Sequence, residues 1–141
     1  DILEESGSGA AGGLGAGLMV FTNAEICSGI DLVCEVMDLD KNLEGADLLI
    51  TAEGCIDAST VYNKAPVGVA RRAKAMSIPV LAMAGMLGPG YESVYDHGID
   101  SIVAIPDCPM LPEQSYSRAA ELLSTATERA IKLWTMSGDT Q

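Results

Sequence analysis

Residues 47–74 read DLLITAEGCIDASTVYNKAPVGVARRAK, and the way this stretch divides decides the fold. Leu48 to Thr51 make a short apolar run of the kind found in a strand covered on both faces. A long polar loop, Ala52 to Ala65, follows, and Pro66 suits the first turn of a helix, where its missing N–H has no intrahelical acceptor to lose. The spacing predicts that helix over Val67 to Met76, with Val67, Ala70 and Ala73 buried and Arg71, Arg72 and Lys74 exposed. The next run, IPVLAMAG at 78–85, is near-continuously apolar between Pro79 and Gly85 and reads as a second buried strand. Strand, helix and strand in this order imply a right-handed crossover and a parallel pair.

Working outward, the same rules predict a short helix at Tyr91 to His97, a third strand at Ser101 to Ile105 and a final helix from Pro112 to Trp134. Upstream, Ser28 is placed to cap a helix whose apolar residues Ile30, Val33, Val36 and Met37 fall at helical spacing, ending near Asn42 and Gly45. The fold class is therefore α/β, a parallel sheet with helices on both faces. Ligands in such sheets bind beyond the carboxyl ends of the strands, which directs attention to Ala52–Ala65, Gly85–Gly90 and Pro106–Leu111. Three strands are few for a doubly wound domain. The sheet is expected to be completed by chain not contained here or by a second copy, a homodimer closing its open edge. The organisation expected is a glycine-rich segment at 1–22, an α/β portion at 23–134 and a frayed tail at 135–141.

The chain has 141 residues, of which 48% are hydrophobic, enough for one globular domain. Its formal charge of -12 argues against nucleic acid or an anionic membrane as partner. No apolar run has membrane-spanning length, and the opening DILEES has neither the basic nor the apolar region of a signal peptide. The first residue is not Met, so the expectation is that this sequence was cut from something longer. Cys27, Cys34, Cys55 and Cys108 form no CxxC pair, and the single His97 is remote from all of them. A Cys/His metal site is not expected, the thiols read as reduced, and the setting as cytoplasmic. His97, just before Gly98, reads as a helix-terminal residue rather than a general base.

Six glycines lie between Gly7 and Gly17, ends included. GSGAAG at 7–12 matches G-x-G-x-x-G, but no hydrophobic strand precedes it, and no Lys follows to complete a Walker loop. Two readings stay open. Gly9, Gly13 and Gly17 recur every four residues and would give a helix one smooth face for close packing; alternatively, Gly7 to Gly12 form a turn whose free N–H groups meet an anion.

The polar loop offers Glu53, Asp57 and Lys64 with the hydroxyls of Thr51, Ser59, Thr60 and Tyr62. Two carboxylates near a lysine suit phosphoryl transfer, in which Mg²⁺ takes oxygen ligands and phosphates need a cation. The other reading gives Asp57 an Asx-turn, leaves Glu53 solvated and places Lys64 at a helix start by chance. Cys55 is either inert or, beside a helix start, a reactive thiolate.

Taken together in order and spacing, GSGAAGGLGAGL, SGIDLV, GADLLITAEGCID, NKAPVGVARRAK, PVLAMAG and HGIDSIVAI resemble the glycerate kinase family, the type 1 enzymes that phosphorylate glycerate at O2. The resemblance spans nearly the whole chain and covers the carboxyl-terminal third or so of that family. It implies a two-domain kinase with a flavodoxin-like domain, using ATP and Mg²⁺ to make 2-phosphoglycerate, and a chain inactive without its amino-terminal portion, with which it would associate. It further implies Glu53, Asp57 and Lys64 as catalytic residues, with Glu53 and Asp57 holding the metal. Gly7, Ser8, Gly9, Gly12, Gly13, Thr51, Gly54 and Thr60 would bind phosphate or glycerate. The family's acidic loop usually reads T-G-E-G-R-[IL]-D-x-Q-[ST]-x-x-G-K-x-P. Ala52, Cys55, Ser59 and Asn63 depart from it, and Cys55 removes a guanidinium able to clamp two phosphate oxygens. Those departures leave a second reading: a non-catalytic α/β module that binds a small anion or a partner chain.

Overall fold

The computed structural model describes residues 4–62 and 64–138. Strands β1 (Leu49–Ile56), β2 (Val80–Leu87) and β3 (Ser101–Ala104) form a three-stranded sheet in the order β1-β2-β3, all parallel. Helix α4 (Ala65–Ala75) makes the crossover from β1 to β2, and a 3₁₀ turn at Tyr91–His97 leads to β3. Helices α5 (Pro112–Ser117) and α6 (Ala119–Gly138) then return along the chain. The α/β class with helices on both faces is thus observed.

The core explains the pattern of β2. Val80, Ala82 and Ala84 face α4, where Val67, Ala70 and Ala73 meet them. Leu81 and Met83 face α6 and pack on Leu122, Ala126 and Ala130. A central strand buried on both faces must be apolar at every position. β1 is an edge strand among the described residues, and its residues alternate between half-buried and exposed as far as Cys55.

Several boundaries differ from expectation. β1 does not stop at Thr51 but runs to Ile56, because β2 extends beside it and pairs Glu53 with Ala84, Cys55 with Met86 and Ile56 with Leu87. Glu53 therefore stands on a strand, not in a loop. The final helix is interrupted at Arg118, and α6 continues to Gly138, so residues 135–138 of the expected tail are helical; residues 139–141 lie outside the described residues. Upstream, α2 (Gly29–Val36) ends early because Asp38 adopts a left-handed conformation, φ 48°, before the short α3 (Leu39–Leu43). Ser28 does hold the N-cap position, but its side chain makes no capping bond, and its buried hydroxyl has no hydrogen-bond partner among the described residues.

The face of α2 is also turned. Cys34 is buried and Ile30 half-buried, whereas Val33, Val36 and Met37, expected inward, are exposed. Ile30 and Cys34, four apart, share the stripe that meets α4. Arg72 on α4 ties the three helices together, 2.9 Å from Asp40 and 3.6 Å from Asp31. Helix α1 (Ala10–Thr22) contains no buried residue and makes at most marginal contact with any other helix or strand. No helix among the described residues is long and apolar enough to cross a membrane.

Candidate functional site

At the carboxyl end of β1 the chain turns sharply, and Asp57 organises the turn. Its Oδ1 accepts from the Ser59 amide at 2.9 Å and from the Ser59 hydroxyl at 2.6 Å. The Asp57 amide in turn donates to Thr60 Oγ1 at 3.0 Å. This reciprocal arrangement caps a 3₁₀ turn at Ala58–Val61. Lys64, at the N-cap of α4, brings its Nζ to 3.7 Å from Asp57 Oδ1. The Ser59 hydroxyl and amide, with the Lys64 ammonium, hold Asp57 below the ordinary carboxylate range. The Asx-turn is therefore present, and the lysine is paired with it.

The other carboxylate behaves differently. Glu53 is half-buried on β1, and its carboxylate makes no hydrogen bond or ion pair among the described residues. Thr51 lies two residues earlier on the same face of the strand. Thr60 is fully buried and its hydroxyl oxygen serves Asp57, which makes it a support of the turn rather than a group presented to solvent. Cys55 points its Sγ toward Asp57 Oδ2 at 3.9 Å. No three His, Cys, Asp or Glu residues cluster as a metal cage among the described residues. Mg²⁺ ordinarily takes one or two carboxylates and completes its shell with phosphate and water, so a single uncommitted carboxylate such as that of Glu53 suits it chemically.

A second turn props the first. Gly88 donates its amide to the Ile56 carbonyl at 2.8 Å, and the Ala58 amide donates to the Pro89 carbonyl at 3.1 Å, so residues on both sides of Asp57 are strapped to Gly88–Gly90. The approach is so close that a Cβ on Gly88 would stand 2.8 Å from Asp57 Cβ. Sequence reasoning pointed to this loop by its position but missed its contact with Asp57.

On the opposite face of the sheet the strand ends open onto a cavity of about 980 Å³. Gly54 and Cys55 form one wall, Met83 and Ile105 the floor, and Met110 and Tyr116 the far side. The sequence signalled it only through the loops flagged at Ala52–Ala65, Gly85–Gly90 and Pro106–Leu111, since Met83 and Tyr116 are ordinary core and helix residues there.

The glycine segment stands apart. Ala11, Gly12 and Gly13 all have left-handed backbone angles, which break the helix and destroy the common face expected of Gly9, Gly13 and Gly17. Gly9, Gly12, Gly13 and Gly17 have open space where a side chain would stand. The close approach is instead at Gly15, whose Cβ would meet the Gly7 carbonyl and Ile26 Cδ1, each at 3.0 Å. Ser8 is buried within this local fold, its carbonyl accepting from Ala16 at 3.1 Å. The neighbours of Gly7 and Gly15 are Ile26 and the segment's own backbone, so the structure shows the acidic turn assembled and the glycines not packed on it. Asn63 lies outside the described residues.

Comparison with known proteins gives a consistent result. The model of a family described as "Glycerate kinase family" matches residues 1–135. A glycerate kinase of Bacillus cereus is 40% identical over 139 residues, which is 99% of this chain and 36% of that protein. A glycerate 2-kinase of Escherichia coli is 41% identical over 105 residues, 74% of this chain and 28% of its own length. The crystal structure of a candidate glycerate kinase 2 of Salmonella typhimurium LT2 superposes with a TM-score of 0.68 at 35% identity, covering 94% of this chain and 34% of that one. The chain spans about a third of the length of the curated relatives it matches.

Proposed function

The chain belongs to the glycerate kinase family, and from that premise we propose that it forms the phosphate-handling part of an ATP- and Mg²⁺-dependent kinase that converts glycerate to 2-phosphoglycerate. The observation that carries this reading is the Asp57–Lys64 pair at the carboxyl end of β1, with the Glu53 carboxylate uncommitted among the described residues earlier on the same strand. In the reaction the glycerate O2 attacks the γ-phosphorus, the bond from that phosphorus to the β,γ-bridging oxygen breaks, ADP leaves, and the O2 proton passes to a base. Catalysis of this kind is mostly positioning and charge neutralisation.

Each residue then has a part. Lys64, paired with Asp57, would supply a point charge to a phosphate oxygen. The Ala65 and Val67 amides, which precede the first described helical bond from the Gly68 amide to the Lys64 carbonyl, would add to that charge. Glu53 and Asp57 would hold Mg²⁺, which when bound neutralises the phosphates. Thr51 and Gly54 border Glu53 on β1, and Gly7, Ser8, Gly9, Gly12 and Gly13 would reach the anion once the rest of a relative-length chain brings the two segments together. The four free thiols suit a reduced, cytoplasmic setting.

The test uses a coupled ADP-release assay with glycerate and MgATP. The 141-residue chain alone is expected to be silent, and a relative-length protein carrying these residues to turn over. In the latter, Glu53→Ala and Lys64→Ala should each lower kcat/KM by about tenfold or more. Unchanged kinetics in both variants would remove this end of β1 from the chemistry.

A further inference from the structure

We propose that the cavity between the strand ends and the α5–α6 elbow seats the purine base of the nucleotide, which would lie across the end of β1 with its phosphates toward Glu53 and Lys64. This deepens the kinase reading above and rests on it for the identity of the nucleotide. The cavity, about 980 Å³, lies at the upper end of the range of small-molecule sites. Its lining contains no Lys, Arg or His, and Glu53 is its only charged residue apart from weakly acidic thiol and phenol groups. A phosphate or carboxylate would find nothing there to neutralise it, so the charged part of a ligand belongs on the Lys64 side.

What the lining does offer suits a flat, uncharged, polarisable ring. Met83, Met86 and Met110 present thioethers, and Tyr116 stands at the mouth with an exposed aromatic face. The site is also preformed. Arg118 binds Asp107 at 3.0 Å and Glu121 at 2.8 Å, which clamps the Pro106–Met110 wall to the start of α6. The Ile105 amide holds the floor to the Ala84 carbonyl at 2.9 Å. Continuity completes the argument, since Glu53, Gly54 and Cys55 are at once a wall of the cavity and the approach to the Asp57 turn.

Adenosine, which carries no phosphate, is the probe. Titrated into the 141-residue chain and followed by NMR, it should bind saturably, compete with ADP and ignore inorganic tripolyphosphate. Ala120→Trp fills the cavity from an exposed position on α6 and should weaken adenosine by about tenfold or more, as Ala119→Leu should to a smaller degree. Lys64→Ala should weaken ADP while leaving adenosine within about twofold. No saturable binding of adenosine, equal binding by Ala120→Trp with an unaltered fold, or binding lost as copies of the chain associate would each overturn the assignment. The two readings separate cleanly. Adenosine bound in the cavity with no glycerate-dependent ADP release from a relative-length protein supports the purine seat and sinks the kinase. Full turnover with a KM for ATP indifferent to Ala120→Trp does the reverse.

Discussion

Lys64 Nζ stands 3.7 Å from Asp57 Oδ1, joining the start of α4 to the end of β1 across the turn that Asp57 itself caps. This pairing makes Asp57 an acid-sensitive joint. Its folded value is depressed, first by the Ser59 hydroxyl and then by the Ser59 amide and Lys64. A depressed carboxylate contributes stability that is fully present above its unfolded value, near 3.8, and is lost as pH falls through the lower folded value. Urea midpoints of the native chain and Asp57→Asn should therefore differ near neutrality and converge only as pH falls from about 5 to below the depressed folded value. A gap that stays constant over this range would deny Asp57 its charged role in the turn.

Thr60 reaches the same turn from beneath. It is fully buried, and its Oγ1 accepts the Asp57 amide at 3.0 Å. Thr60→Val keeps the shape but orphans that donor, with an expected loss of about 1–3 kcal/mol. Thr60→Ser keeps the acceptor and should lose less. Equal losses in the two denaturation curves would mean that packing, not the hydroxyl, matters here.

Two glycines of the β2 end leave no room for a methyl group. A Cβ on Gly85 would sit 2.6 Å from the Gly54 carbonyl oxygen, a backbone atom fixed by the β1–β2 pairing. Gly85→Ala should cost about 1–3 kcal/mol in thermal or urea unfolding. Gly88→Ala would press on Asp57 Cβ instead, and in a relative-length enzyme kcat/KM should fall by about tenfold or more as the carboxylate moves. A Gly88→Ala enzyme with native kinetics would show that the turn tolerates the shift.

Helix α2 meets α4 at one especially close approach, beside the Arg72–Asp31 ion pair. A Cβ on Gly68 would lie 2.3 Å from Ile30 Cγ1 and 3.2 Å from Ile30 Cβ, too near the stiff branch of the side chain to be relieved by its tip. Gly68→Ala should destabilise the chain, and Ile30→Ala in the same molecule should restore part of the loss. The double-mutant cycle is expected to give a coupling of about 0.5–3 kcal/mol. Additive losses would mean that the two helices are not seated through this pair.

The elements that the sequence revealed are those whose environment acts alike on successive residues. IPVLAMAG could be read as a buried strand because both faces of β2 are covered, and Pro66 marked the start of α4 by local backbone chemistry alone. The end of β1 was hidden, since Ala52–Ile56 carries Glu53 and Gly54 and is held extended only by its neighbour. The face of α2 was misjudged for a related reason. Its apolar residues occupy more than one stripe, and which stripe turns inward depends on Gly68, more than thirty residues away in the chain.

The amino-acid order by itself determined the crossover, the parallel sheet and the short segment in which Glu53, Asp57 and Lys64 fall, because periodicity and turn chemistry act within a few residues. Tertiary structure alone decided that Asp57 and not Glu53 would take the lysine, that the glycine helix would be broken by left-handed residues, and that Met83, Met110 and Tyr116 would surround one cavity. Those outcomes depend on distances between residues far apart along the chain, which packing sets and local pattern does not encode.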